Sequence, residues 1–248
     1  MSERSPLPIG LKKPDSGSVL VFAPHADDEV IGCGGTLALH AAQGDRVHVV
    51  VVFDGVRGLP AFDTEGRPFS DPAGVRRSEA LAGASQLGRI EYTFWGFQEG
   101  HSPVEAEMDM ACQRVAHCIE EFQPRTIYAP WIGEHHVDHY ALARAVRGGL
   151  ARASLASKWM GKVDAWGYEV WTPLVPERIV NISEVIDLKS AALMEHTSQM
   201  QSGDLVHRAL GMNAQRSLYL DTEARYGEAF ARITWEEEGM SGGFGGVA

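Results

Sequence analysis

The sequence predicts a single α/β domain with a mostly parallel, doubly wound sheet and helices on both of its faces. Short apolar runs alternate with longer segments of helical spacing about four times before residue 140. One of these runs, 46–53 (RVHVVVVF), is apolar on both faces, as expected of a strand that helices cover on either side. With 248 residues and 44% hydrophobic content, the chain can bury one sizeable core. We therefore expect a Rossmann-like architecture.

Each predicted element ends at turn-forming or helix-breaking residues, among them Pro24, Gly44 and Pro124. β-Branched and aromatic residues identify the strands, whereas apolar residues three or four positions apart identify the helices. Strands are predicted at 19–22, 46–53, 90–95, 126–130, 163–170 and 177–182. Helices are predicted at 30–39, 73–87, 104–122, 186–194, 205–218 and 222–230, with a polar loop at 196–204.

The remaining segments are expected to lack regular structure. Residues 1–17 are typical of a flexible polar arm, the α/β domain is placed at 18–240, and the glycine-rich residues 241–248 are predicted to be a flexible tail. Residues 54–72 combine Gly, Pro and Asp in a long loop behind a strand, where long loops often carry function.

Charge and cysteine content exclude several classes of partner. The net charge of −11 argues against nucleic acid or an anionic membrane as a partner. Three cysteines, Cys33, Cys112 and Cys118, form no CxxC pair and are expected to be buried filler in a reducing compartment. No apolar run approaches the roughly 20 residues of a membrane span, and the leader lacks a signal-peptide core. We therefore expect a cytoplasmic protein.

The segment APHADDEV places His25, Asp27 and Asp28 where the first strong strand ends and a helix begins. Helix capping by the acids is the simplest explanation. A phosphate-binding loop is excluded because Leu37 replaces the third glycine of a GxGxxG pattern, and because the acids would repel phosphate. A metal ion is the remaining functional interpretation.

A second polar segment, WIGEHHVDHY, follows the predicted strand 126–130. His136 and His139 are three residues apart at a helix start, so that they can share a face. Because parallel strands end on one side of a sheet, this segment and the first are expected to meet at the same rim. That convergence favours a metal site over isolated structural histidines.

These two segments resemble the PIG-L/LmbE family of zinc de-N-acetylases, which act on N-acetylglucosaminyl compounds. The resemblance extends to an Arg-x-x-Glu helix ending in Leu-Gly and to a late Lys-x-x-Ala…His-x-Ser-Gln pattern. The residues concerned are Arg76, Glu79, Leu87, Gly88, Lys189, Ala192, His196, Ser198 and Gln199. Ala26 stands where the family usually has Pro, which we expect to alter the stiffness of the loop more than its chemistry.

The resemblance implies that His25, Asp28 and His139 bind zinc, that Asp27 is the base and that His136 assists. Chemistry agrees, since catalytic zinc typically keeps three protein ligands and leaves one position for water. Two further roles follow: Asp138 would orient a protonated His136 as an oxyanion donor, and Arg76 is assigned to substrate binding. Zn²⁺ is the expected cofactor, although the same ligands suit other divalent ions.

The implied function is hydrolysis of an N-acetyl amino sugar conjugate to acetate and a free amine, in a chain that is compatible with a homo-oligomer. Hydrolysis of another N-acyl amide, or a non-catalytic α/β binding module, remains open.

The three-residue spacing of Arg76 and Glu79 on a predicted helix, taken without the resemblance, favours an exposed surface pair. Four other side chains are compatible with either a place in the core or a role at the site, namely Trp166, Tyr168, Trp171 and His196. His48 is expected in the core.

Overall fold

A computed structural model describes residues 7–63, 65–201 and 203–235, whose strands form one mixed sheet. The strands are β1 (Ile9–Leu11), β2 (Val19–Ala23), β3 (Val47–Phe53), β4 (Ile90–Phe97), β5 (Thr126–Pro130), β6 (Asp164–Tyr168), β7 (Arg178–Asn181) and β8 (Gly227–Arg232). The helices are α1 (Asp28–Ala42), α2 (Pro72–Leu87), α3 (Glu105–Phe122), α4 (Val137–Ala156), α5 (Ile186–Met194), α6 (Thr197–Met200) and α7 (Leu205–Arg216). The strand order is β1–β7–β8–β6–β5–β2–β3–β4, which confirms the predicted α/β class.

The central strand β2 positions the two polar segments. It pairs in parallel with β3 on one side and with β5 on the other, in a register that aligns Val19 with Val47 and Thr126. Since β2 and β5 are neighbours and run the same way, the loops that follow them leave the sheet at the same rim. The predicted convergence of the two segments therefore has a topological basis.

The two faces of the sheet carry separate cores. Val19, Val21 and Ala23 of β2 face a layer built from α1, α2, α5 and α7, whereas Leu20 and Phe22 face α3 and α4. All five residues are buried, as expected of a strand covered on both faces. No described helix combines the length and the apolar character needed to cross a membrane.

The segment 222–230 was expected to be helical, and this prediction is wrong. Gly227–Arg232 forms β8, which lies between β6 and β7 and is antiparallel to both. Its Glu and Ala residues favour a helix locally, but pairing on both edges and burial of residues 227–230 outweigh that preference.

Two smaller differences concern segments expected to be irregular. Ile9–Leu11, inside the predicted arm 1–17, is a short edge strand that pairs in parallel with β7. Thr197–Met200, inside the predicted loop 196–204, is a single helical turn. The predicted tail 241–248 lies outside the described residues.

Helix α1 is kinked at Cys33, whose backbone (φ −143°, ψ 16°) leaves the helical region. The kink leaves backbone N–H and C=O groups without helical partners, and two buried side chains form hydrogen bonds with them. Glu228 accepts hydrogen bonds from the N–H groups of Gly35 (2.8 Å) and Thr36 (2.7 Å). Lys189 donates to Ile31 O and to Glu228, at 2.7 Å each. The Lys189–Glu228 pair therefore supports the helix that carries Asp28.

The glycines of α1 serve close packing. A Cβ atom on Gly32 would lie 2.2 Å from Cδ2 of Tyr168, and a Cβ atom on Gly35 would lie 2.7 Å from Ile182. Such distances are far below van der Waals contact, so larger residues would displace the helix from the sheet. This packing agrees with the exclusion of a phosphate-binding loop.

We predict that Lys189→Met destabilises the fold by about 3 kcal/mol, because Glu228 is left as a buried charge without its cation. Urea unfolding followed by circular dichroism measures the loss. The double variant Lys189→Met/Glu228→Gln should recover much of it, since it removes the orphaned charge. A loss below about 1 kcal/mol in the single variant would show that the pair is not needed.

Candidate metal centre and active site

The candidate site lies at the rim of the sheet, where three loops meet. The β2–α1 turn carries His25, Asp27 and Asp28. The β5–α4 turn and the first turn of α4 carry Glu134, His136, Asp138 and His139, and the β4–α3 loop adds Glu99 and Gly100. The sequence-predicted ligands are thus brought together from segments more than 110 residues apart.

One carboxylate oxygen connects these loops. Oδ2 of Asp28 lies 3.0 Å from the backbone N of His25, 3.1 Å from its Nδ1 and 3.2 Å from Nε2 of His139. Burial opposes ionisation of Asp28, but the imidazoles of His139 and His25 outweigh it and hold its pKa well below the usual value. The carboxylate is therefore charged and available as a ligand.

The second ring nitrogen of His25 faces another pair of acids. Its Nε2 atom lies 3.1 Å from Oδ2 of Asp138 and 3.3 Å from Oε2 of Glu99. Burial opposes protonation of His25, but the carboxylates of Asp138, Asp28 and Glu99 raise its pKa well above the usual value. Asp138 in turn accepts a hydrogen bond from the N–H of Gly100 (2.8 Å), which fixes its orientation.

The donors of His25, Asp28 and His139 fit a divalent cation. One ligand atom from each lies within 4.8 Å of the others, and all three residues are buried. Both ring nitrogens of His139 are buried, and among the described residues they have carboxylate oxygens 3.2 and 3.5 Å away but no hydrogen bond of regular geometry. Two imidazoles with one carboxylate form the donor set of many catalytic zinc sites. The ligand atoms of a second, overlapping group, His25, His136 and Asp138, also lie within 4.8 Å of one another.

Asp27 has an unusual backbone and does not cap α1 with its side chain. Its φ of 147° lies in the region that glycine prefers, which costs a non-glycine residue about 1–3 kcal/mol. Its carboxylate instead lies 3.3 Å from Nη2 of Arg76. Burial raises the pKa of Asp27 to about 6, against the opposing charge of Arg76. The capping interpretation of this residue is therefore wrong.

His136 is the N-cap residue of α4, and its ring is partly exposed. Its Nδ1 accepts a hydrogen bond from the backbone N of Asp138 (3.3 Å), which places the ring proton on Nε2. Burial and the charges of His139 and His25 lower its pKa. Asp138 lies 3.8 Å from Nδ1 of His136 but 3.1 Å from His25, so that it contacts His25 more closely than expected.

Arg76 and Glu79 are buried, so the expectation of an exposed pair is wrong. Arg76 is only 3% exposed, and its Nε and Nη1 atoms have no partner among the described residues. Glu79 accepts hydrogen bonds from Oγ1 of Thr197 (2.9 Å) and from the N (2.7 Å) and Oγ (2.7 Å) of Ser198. The pair faces α6 and the site instead of solvent.

The exposure of the remaining candidate residues shows which of them lie in the core and which lie at the surface. Trp166 and Tyr168 lie in the core, whereas Trp171 is 50% exposed at the rim. His48 is half-buried on β3, where its ring packs against Phe122 and contacts Oγ1 of Thr93 (3.0 Å), in agreement with a core histidine whose polar atoms have partners. All three cysteines are free thiols whose burial raises their pKa, in agreement with a filler role.

Three acidic residues of the site were missed in the sequence. Glu29 accepts hydrogen bonds from Tyr92 Oη (2.8 Å) and from the N of Asp27 (3.3 Å), and burial raises its pKa to about 7. Glu99 and Glu134 contact the predicted ligands His25 and His139. Glu134 stands inside the second polar segment, which was a usable signal, whereas nothing in the sequence around Glu99 marked it.

Comparison with known proteins identifies the family. The family model described as "PIG-L: GlcNAc-PI de-N-acetylase" matches residues 20–148, about half of the chain and both polar segments. The chain belongs to the PIG-L family. The resemblance recognised in the sequence is therefore confirmed.

PIG-L relatives differ in their named activities. A 4-oxalmesaconate hydratase of Pseudomonas putida is 27% identical over 225 residues, covering 81% of this chain and 85% of the relative. A probable N-acetyl-alpha-D-glucosaminyl L-malate deacetylase of Bacillus cereus is 28% identical, covering 74% and 84%. The crystal structure of a conserved protein from Thermus thermophilus matches with a TM-score of 0.71 and 26% identity, covering 86% and 93%.

We predict that His196 makes stability fall in mild acid. The ring is buried and unpartnered between α2 and α5, and burial lowers its pKa to about 3. Below pH 6.5 the ring of His196 binds a proton in the unfolded chain but not in the fold, so its contribution to the free energy of unfolding drops by up to about 1.4 kcal/mol per pH unit. Urea unfolding at pH 7 and pH 5 measures this difference.

The variant His196→Gln should lose less stability than the wild type between pH 7 and pH 5, because it has no ring to titrate. The exposed His207→Gln is the matched control and should keep the wild-type dependence. Equal pH dependence in both variants would show that His196 is not the residue responsible.

Proposed function

We propose that this PIG-L protein is a metal-dependent deacetylase that releases acetate and a free amine from an N-acetyl amino sugar conjugate. The observation that supports this most directly is the buried His25–Asp28–His139 cluster with the carboxylate of Asp27 beside it. The family match and the B. cereus relative support the acetamido sugar as substrate. Zn²⁺ is the proposed ion, since two imidazoles and one carboxylate are a common catalytic zinc donor set.

The proposed mechanism assigns one task to each side chain. A divalent ion held by the three ligands would act as a Lewis acid that polarises the amide carbonyl. Asp27, whose pKa is raised to about 6 by burial, accepts a proton from the attacking water and can return it to the departing amine. His136 donates from Nε2–H toward the oxyanion that develops on the carbonyl oxygen.

Substrate binding is assigned to the groups around this centre. Within the described ranges Nε–H and Nη1–H of Arg76 have no partner, and these buried donors are suited to a hydroxyl or carboxylate of the substrate. The exposed Trp171 offers a flat apolar face at the rim, of the kind on which a sugar ring can stack. Neither Arg76 nor Trp171 is a proposed metal ligand, and both are proposed to affect substrate affinity more than metal binding.

We predict that Asp27→Asn retains the metal and loses turnover by roughly 10²- to 10⁴-fold, the usual contribution of a general base. The variant keeps the three proposed ligands and changes only the proton acceptor. Primary-amine release from a panel of N-acetylglucosaminides measures turnover, and atomic absorption of the purified protein measures metal content.

The control is Asp28→Asn, which removes a proposed ligand and should lose metal together with activity. The proposal for Asp27 would be overturned by an Asp27→Asn enzyme with wild-type amine release. Loss of metal in both variants would also contradict the proposal, because Asp27 would then be needed for metal binding itself.

A hydratase is the second candidate, favoured by the P. putida relative and by the free N–H groups of Arg76, which suit a carboxylate substrate. Asp27 would again activate water, but the water would add across a carbon–carbon double bond. Incubation with 4-oxalmesaconate, followed by loss of its ultraviolet absorbance, tests this alternative beside the amine-release panel. Turnover of only one substrate class decides between the two.

A further inference from the structure

Glu134 occupies a position between the metal centre and the rim of the site. It lies in the β5–α4 turn, two residues before His136, and only 3% of it is exposed. A buried carboxylate without partners would cost several kcal/mol, so its contacts define what it does. These contacts run in two directions.

On one side, Glu134 binds the backbone of the segment that follows β6. Its Oε1 accepts hydrogen bonds from the N–H groups of Val170 (2.7 Å), Trp171 (3.1 Å) and Thr172 (3.2 Å). A second hydrogen bond joins the same two segments, since Oγ1 of Thr172 accepts from the N of His135 (3.2 Å). The carboxylate therefore fixes the backbone that presents the exposed Trp171.

On the other side, Glu134 faces a proposed metal ligand. Its Oε2 lies 3.5 Å from Nδ1 of His139, whose Nε2 lies 3.2 Å from Oδ2 of Asp28. A carboxylate beside Nδ1 favours a proton on that nitrogen and leaves the Nε2 lone pair directed at the cluster. Metal-binding histidines commonly depend on such a partner for their tautomer and ring orientation.

We propose that Glu134 is a positioning residue that holds His139 in its ligating tautomer and at the same time anchors the rim segment Val170–Thr172. One carboxylate then links metal affinity to the geometry of the substrate rim. This inference depends on the proposed metal centre and is independent of which substrate is hydrolysed or hydrated.

The test is Glu134→Gln, with zinc affinity measured by chelator competition and rim order measured by hydrogen exchange of the amides of 170–172. The amide has similar volume but places an NH₂ group where one carboxylate oxygen accepts. We expect zinc affinity to fall by roughly 10- to 100-fold, the usual effect of removing a carboxylate that supports a metal ligand, together with faster exchange.

Glu169→Gln is the matched control. Glu169 is also buried and anchors the same segment, through the N of Leu174 (2.9 Å) and through Arg216. Among the described residues, its polar contacts include none of the proposed ligands. This variant should speed amide exchange at the rim and leave zinc affinity within about three-fold of the wild type.

Zinc affinity near the wild-type value in Glu134→Gln would overturn the inference, and so would equal losses in both variants. Wild-type protein that binds no zinc would overturn the proposed metal centre as well, which separates the two failures. If Glu134→Gln does not fold, long-range ¹H–¹⁵N spectra of the zinc-loaded wild type decide. The proton of His139 must then reside on Nδ1, and its presence on Nε2 refutes the inference.

Discussion

A single oxygen atom, Oδ2 of Asp28, holds the candidate site together. It accepts from the backbone and the ring of His25 and lies against the ring of His139, so it joins the loops behind β2 and β5. Its position depends on helix α1, which begins at Asp28 and is kinked at Cys33. The Lys189–Glu228 pair forms hydrogen bonds with the backbone groups that this kink leaves without helical partners. The geometry of the cluster is thus determined by contacts well outside it.

The site also gathers more buried negative charge than its own cations offset. Carboxylates at positions 27, 28, 99, 134 and 138 surround two buried imidazoles and one guanidinium. Buried carboxylates are costly unless they are paired or coordinate a metal. Their effect on the protein's own groups is visible in the pKa values of His25 and His139, the second of which rises to about 9. A divalent cation at the cluster would replace these protons and relieve the same imbalance.

The sequence was sufficient for features that follow from topology and local pattern. Strands ending at Ala23 and Pro130, followed by His and Asp residues, predicted the meeting of His25, Asp28 and His139, because neighbouring parallel strands end together. It was insufficient where distant contacts outweigh local preference. β8 is a strand through its pairing on both edges, and Arg76 is buried with its Nη2 3.3 Å from Asp27, a contact between distant segments that local spacing does not reveal. The positive φ of Asp27 likewise leaves no mark in the composition of the turn.

The metal cluster does not by itself choose between amide hydrolysis and hydration. In both proposed reactions a base takes a proton from water, and the raised pKa of Asp27 suits that role in either case. They differ in what must be held nearby: a sugar ring with its acetamido group, or an unsaturated carboxylate. The groups proposed to make that distinction are the N–H donors of Arg76, which have no partner in the described part of the chain, and the exposed face of Trp171. Glu134 accepts a hydrogen bond from the backbone N of Trp171, and its Oε2 lies 3.5 Å from Nδ1 of His139, so one carboxylate contacts both the rim and the proposed metal centre. Under the proposed mechanism, substrate choice would therefore depend on the rim, and the chemistry of water activation would be common to both reactions.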